Sequence, residues 1–270
     1  MRSSTLFLTC VVLAIGARSA ESQSAYARTA DTLRYRETTT TEARITTPQG
    51  EVPLTIEHAA TMAVMLLPGD SAKAWYEALR VAVISPAGTQ APETESVLKQ
   101  PFRLTFDPRG KISVVSSPTF PASFEGITDL TYQFTDFFLR LPASPLKIGL
   151  TWTDTLTRTT STAEKSAKLN SIANYRVERD TMVAGVPAFV ISMRQQLSSE
   201  SEGPVPGQPV RARSLATGTD EGVVLFSKAG RMLGRQRTGT LTGGMTMTFD
   251  GGSMEVGQTF TYKNVIEVVK

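Results

Sequence analysis

Residues 51–66 read EVPLTIEHAATMAVML, and the phase of that stretch decides the fold. One set of alternate positions is Val52, Leu54, Ile56, His58, Ala60, Met62, Val64 and Leu66. The other is Glu51, Pro53, Thr55, Glu57, Ala59, Thr61, Ala63 and Met65. A period of two over that length describes a long strand with one face on a core and one toward water. Pro68-Gly69-Asp70 ends it with a turn. The chain resumes at 75–84, where Ala72, Trp75, Leu79 and Val83 also fit one face of a helix, so that piece stays open between strand and helix.

Working outward, the same period recurs at 34–47, 102–107, 111–116, 150–161, 174–180 and 188–197. It returns at 222–227, 232–241, 245–249 and 258–269. Threonine occupies 36 positions, clustered in runs such as 38–41 and 151–162, and its β-branched polar side chain suits the wet face of a sheet. Asp250-Gly251 and Asp107-Pro108-Arg109-Gly110 are hairpin signals. The expected fold class is mainly β: a curved antiparallel sheet or half-barrel, with loops at 86–101 and 198–209.

Phe124, Ile127, Leu130, Phe134, Phe137, Phe138 and Leu141 break the pattern, because their spacings are helical. With Ser123 as N-cap and Pro142 as stop, they predict one main Phe-rich helix at about 123–141, docked on a sheet.

At the other extreme, residues 1–20 read as a secretory signal peptide: Arg2, an apolar run from Leu6 to Ile15, then small residues. About ten apolar residues match a signal core and fall short of the roughly 20 that span a bilayer. Cleavage is open between Ala20, Ser22 and Ala27. Cys10 lies inside the apolar run behind Thr9, which is no lipidation box. Cleavage after Ala20 removes the one cysteine with Arg2 and Arg18, so the formal net charge of +3 falls to +1, and no anionic partner or nucleic acid is implied. No transmembrane segment is expected in the mature chain. The domain reading is a single β-rich unit at 28–270, with two related halves (about 30–120 and 145–270) joined by the helix.

Those halves echo each other: Leu104-Thr105-Phe106-Asp107-Pro108-Arg109-Gly110-Lys111-Ile112 resembles Val224-Leu225-Phe226-Ser227-Lys228-Ala229-Gly230-Arg231-Met232. Two further motifs carry a family resemblance. Leu141-Pro142 followed by Lys147-Ile148-Gly149-Leu150-Thr151-Trp152 is similar to a proline, basic-x-Gly-x-x-Trp signature. Tyr175-Arg176-Val177-Glu178 with Gly185-Val186-Pro187-Ala188-Phe189-Val190-Ile191 is similar to a Tyr-x-Val … Gly-x-x-Ala-x-x-Ile hairpin. Both resemble uncharacterised exported bacterial β-proteins, which in turn look like the lipoprotein-carrier (LolA/LppX-like) superfamily of half-barrels with helices in the concavity. The resemblance implies that an acyl chain or other apolar partner is held between sheet and helix.

Catalytic vocabulary is sparse. His58 is the only imidazole, on an apolar strand face, with no G-x-S-x-G elbow to supply a nucleophile. Ser96-Val97-Leu98-Lys99 matches S-x-x-K without its companion motifs. Glu125 and Asp129 share a helix face, where acids complement the dipole. Asp220, Glu221 and Asp250 sit in turns without the spacing of a calcium loop. Arg231, Arg235 and Arg237 read as a solvated strand face. No catalytic residue, metal ligand or cofactor is assigned. The expected ligand-binding residues are Phe124, Tyr132, Phe134, Phe137 and Phe138, as wall or lid of an apolar cavity. The expected function is a non-enzymatic exported cell-envelope protein (periplasmic, outer-membrane associated or extracellular) that binds a lipid or other apolar ligand. An envelope scaffold that binds a protein partner is the alternative, and a hydrolase the third reading.

Overall fold

The alternation at 51–66 is a strand, and its neighbours are strands too. In a computed structural model, which describes residues 25–28, 31–121, 124, 130, 133–161, 165–205 and 209–269, the chain forms one open 12-stranded antiparallel sheet. Its first meander is β1 (Thr32–Thr47), β2 (Gly50–Leu66), β3 (Ser71–Ser85), the short β4 (Gly88–Gln90), β5 (Phe102–Phe106) and β6 (Ile112–Ser116). The second is β7 (Thr151–Ser161), β8 (Ser166–Val183), β9 (Val186–Pro204), β10 (Arg211–Ser227), β11 (Met232–Phe249) and β12 (Gly252–Val269). The order β6-β5-β3-β2-β1-β12-β11-β10-β9-β8-β7 joins the two meanders where β1 pairs with β12, and leaves β6 and β7 as the two edges. The stretch at 75–84, open between two readings, is part of β3.

The sheet curls strongly. The Tyr26 ring lies 5.1 Å from Phe106 on β5 and 5.1 Å from Phe226 on β10, so those two phenylalanines are near neighbours. Six strand spacings separate β5 from β10, which in a flat sheet would be roughly 29 Å. The concave side holds the core, which packs Tyr35, Met62, Tyr76, Phe102, Phe134, Phe137, Ile191 and Ile266. Along β1 the convex side is polar, presenting Arg34, Arg36, Thr38, Thr40, Glu42, Arg44 and Thr46, all exposed; elsewhere on it Ile172, Leu215 and Val223 are exposed singly. This is the opposite phase to a bilayer-spanning barrel, whose outward band is apolar. No helix among the described residues is long and apolar enough to cross a membrane.

The two echoed segments are two hairpin turns of one geometry. Asp107 N–H bonds to Lys111 O at 3.0 Å, and Ser227 N–H to Arg231 O at 2.7 Å; Gly110 and Gly230 take φ of +90° and +82°. One short segment holds both. Tyr26 N–H donates to Pro108 O (2.7 Å) and Ala27 N–H to Gly230 O (2.8 Å). Gly110 has no alternative, since a Cβ there would meet Leu139 O at 2.4 Å and the Tyr26 ring at 2.6 Å.

The helix expected at 123–141 is not seen. Of that stretch the structure describes 124, 130 and 133–141, where Phe124 has 3-10 geometry and Gln133–Asp136 is a 3-10 turn. Glu125, Asp129 and Tyr132 lie outside the described residues. The reason lies in burial: Phe137, Phe138 and Leu139 are consecutive and all buried, as are Phe134 and Leu141. A helix docked by one apolar stripe cannot bury three residues in a row. A strap enclosed by a concave sheet can, provided its backbone finds partners outside itself. It does so: Leu141 N–H donates to Arg109 O, and Leu139 O, Arg140 O and Asp136 O accept from Tyr26, Trp152 and Arg235.

The expected loop at 198–209 is also corrected. Residues through Pro204 belong to β9, paired with β10 throughout and with β8 as far as Glu202. Both faces are wet there, so polar side chains suffice, and Arg213–Glu200 (2.8 Å) and Arg211–Glu202 (3.5 Å) cross between strands.

Candidate functional site

Four of the expected ligand-binding residues, Phe124, Phe134, Phe137 and Phe138, are core side chains. They pack ring against ring with Tyr35, Tyr76, Phe102, Phe106 and Phe120 at centroid distances of 4.9–6.2 Å. A recess of about 990 Å³ opens instead on the convex face, where Thr151, Thr153, Asn174, Arg194, Glu221 and Thr238 contribute to its lining.

Above this core the concave face carries a belt of polar residues that the sequence reading missed. Glu37 on β1 is buried; its two carboxylate oxygens accept from Asn264 Nδ2 (2.7 Å) and Gln133 Nε2 (2.7 Å). Arg235 donates to Asp136 O (2.6 Å) and to Asn264 Oδ1 (3.4 Å). Arg237 donates to the Asp136 carboxylate at 2.7 Å and stands 3.7 Å from that of Asp220. Arg140 pairs with Asp154 on β7 at 3.3 Å. The belt ties the strap to β1, β7 and β11, and through Glu37 and Arg235 to Asn264 on β12. It overturns the solvated-face reading of the arginines: on β11, residues 235 and 237 point inward, and only Arg231 lies at the turn.

Local geometry sets the charges. Burial raises the Asp220 carboxyl above its ordinary range, against Arg237 and the Tyr262 hydroxyl that donates to Oδ2. Burial raises Asp154 likewise, against Arg140. Burial also opposes ionisation of Asp136, but the Arg237 and Arg235 guanidiniums outweigh it and hold the carboxyl below its ordinary range. Tyr262 reaches Asp220 because Gly239 lies between them on β11; a Cβ there would stand 2.6 Å from Asp220 Cβ and 2.8 Å from the Tyr262 ring.

His58, on the concave face as its phase implied, has Nδ1 4.0 Å from Glu37 Oε2, while Nε2 is buried without a partner. Burial lowers its pKa below 6.5, with Glu37 pulling the other way. The unfolded chain therefore binds this proton more tightly than the folded one. Stability is complete above pH 6.5 and declines as pH falls through 6.5 toward the lower folded value. Urea midpoints measured between pH 7.5 and 5 are expected to fall for the wild type, and His58→Gln is expected to flatten that slope.

The other sequence candidates do not assemble. Ser96 and Lys99 are exposed on a 3-10 turn and its exit. Asp220 and Glu221 lie within β10, on opposite faces. Among the described residues no group of three or more His, Cys, Asp and Glu side chains could hold a metal ion.

Beyond the belt the concave face becomes an open trough. Register places Leu197, Gly218, Leu241, Phe260, Ala43 and Leu54 in one row across β9, β10, β11, β12, β1 and β2. Ile45, Met245 and Met247 continue toward the far hairpins. Most of these apolar side chains are only half-buried, and none belongs to the packed core. From Gly239 to Met247 the trough wall runs eight residues, roughly 27 Å.

The fold and site together define an open antiparallel half-barrel, filled at one end and troughed at the other. No family model and no curated protein matches the chain. Among solved structures it is similar to OmpT, an outer membrane protein of Vibrio cholerae in its trimer form, at 8% identity over 86% of this chain and 99% of that one, with a TM-score of 0.20. The loop L8 deletion mutant of OmpT follows at 10% identity over 88% and 99%, with a TM-score of 0.17.

Proposed function

We propose that this chain is a non-enzymatic exported protein of the cell envelope that holds an acyl chain or similar apolar ligand in the open trough. One observation carries the reading: on the core-facing side of the sheet Leu54, Leu197, Leu241 and Phe260 share a row, half-buried and outside the packed core. Apolar surface of that extent on a concave wall is a binding feature more often than an accident. The ligand contacts move accordingly, from the Phe-rich strap to Leu54, Leu197, Leu241 and Phe260. Protein purified from envelope extracts and examined by native mass spectrometry is expected to carry a lipid mass. A fluorescent acyl probe is expected to bind and to be lost on Leu241→Arg. An empty protein indifferent to the probe would refute the proposal.

The second reading, an envelope scaffold for a protein partner, is favoured by the solid core beneath the strap. It expects a partner in cross-linked envelope complexes and no response to acyl probes.

A further inference from the structure

The row between belt and trough contains two acceptors with nothing to accept. Asp220 and Gln195 are register partners on β10 and β9, both facing the concave side and both 4% exposed. The Tyr262 hydroxyl and Arg237 engage Asp220 Oδ2, whereas Asp220 Oδ1 and Gln195 Oε1 are buried without a partner. A buried oxygen left without a donor forfeits its solvation uncompensated, so two on neighbouring strands form a receptor for a group with several donors. The next row up is the apolar one: Leu197, Gly218, Leu241 and Phe260.

Charge points the same way. The belt and this row together hold four carboxylates (Glu37, Asp136, Asp154, Asp220) and three guanidiniums (Arg140, Arg235, Arg237), and burial keeps His58 toward its neutral form. Arg158, further up the edge strand, has a partner of its own. With all four carboxylates ionised they outnumber the guanidiniums by one, and a cation at the two free oxygens would hold Asp220 ionised against the burial that raises it.

We propose that this ledge binds the cationic head of an amphiphile, a protonated primary amine on an alkyl or acyl chain. Asp220 Oδ1 and Gln195 Oε1 accept its N–H groups while the chain runs over Leu197, Leu241 and Phe260. The inference rests on the trough as an apolar site and names the head group of its ligand.

The test titrates the full chain with dodecylammonium, dodecanol and dodecanoate below their micellar concentrations, with binding read by calorimetry. Dodecylammonium is expected to bind about ten-fold or more tighter than either of the others, as a charge-assisted bond adds over a neutral one. Asp220→Asn is expected to collapse the dodecylammonium-to-dodecanol ratio to about one, and Gln195→Glu to widen it. Gln195→Glu keeps the test alive should Asp220→Asn fail to fold. Equal affinities in the wild type, a preference for dodecanoate, or a ratio that neither variant moves would overturn the head-group assignment while leaving the trough. Failure of all three ligands to bind would overturn the trough, and the ledge with it.

Discussion

Replacing Tyr26 with alanine is expected to lower the stability of the protein by about 3–5 kcal/mol, the range for deleting a large buried aromatic. The ring is 5% exposed and meets Phe106, Phe138 and Phe226 edge-on at 5.1–5.7 Å. Its hydroxyl donates to Leu139 O at 2.8 Å, so it binds the strap as well as the two echoed turns. Removing it opens a cavity where both meanders and the strap meet. Chemical denaturation followed by far-UV circular dichroism checks the figure. Tyr26→Phe keeps the packing and is expected to cost about 1–3 kcal/mol, for the orphaned carbonyl of Leu139. The same geometry bears on processing of the proposed leader. A chain cut after Ala27 would lack this side chain, so N-terminal sequencing of the exported protein is expected to find Tyr26 retained.

Arg237→Leu is expected to cost a comparable amount, about 3–5 kcal/mol, because it strands a buried charge. The Asp220 side chain on one side of this guanidinium is fully buried, and Asp136 on the other is the strap's tether to β11. Without Arg237 the Asp220 carboxyl rises further and the tether is cut. The double variant Arg237→Leu with Asp220→Asn is expected to recover much of the loss, since the uncompensated charge leaves with its partner. A double-mutant cycle on thermal or urea unfolding measures that coupling. If the single and double variants lose equal stability, the charge argument is wrong.

The strands were legible because their signal is local. Two-residue alternation at 51–66 or 232–241 states its own phase, and the hairpin turns at 107–110 and 250–251 are spelled by their Asp, Pro and Gly residues. The strap was misread because Phe124, Leu130, Phe134 and Phe137 share helical spacings with any segment whose surroundings are apolar on several sides. That enclosure comes from strands far away in sequence. Ser198–Pro204 looked like a loop because a strand wet on both faces has no apolar phase. The belt was hidden for a related reason: Glu37 and Asn264 are 227 residues apart, and only register brings them together. One clue was available. Glu37 falls in the inward phase of β1, between Tyr35 and Thr39, where a carboxylate needs a partner.

The pairing of β1 with β12 also fixes an order in time. The first long strand finds its second neighbour only when the last strand arrives, so the middle of the sheet is the final seam to close. Until then β1 presents a bare edge of unpaired amides, as does whichever strand has most recently emerged. Pairing across the whole chain is slow, and exposed edges invite association with other chains. A protein built this way has to be kept apart from its neighbours until its full length is available to pair.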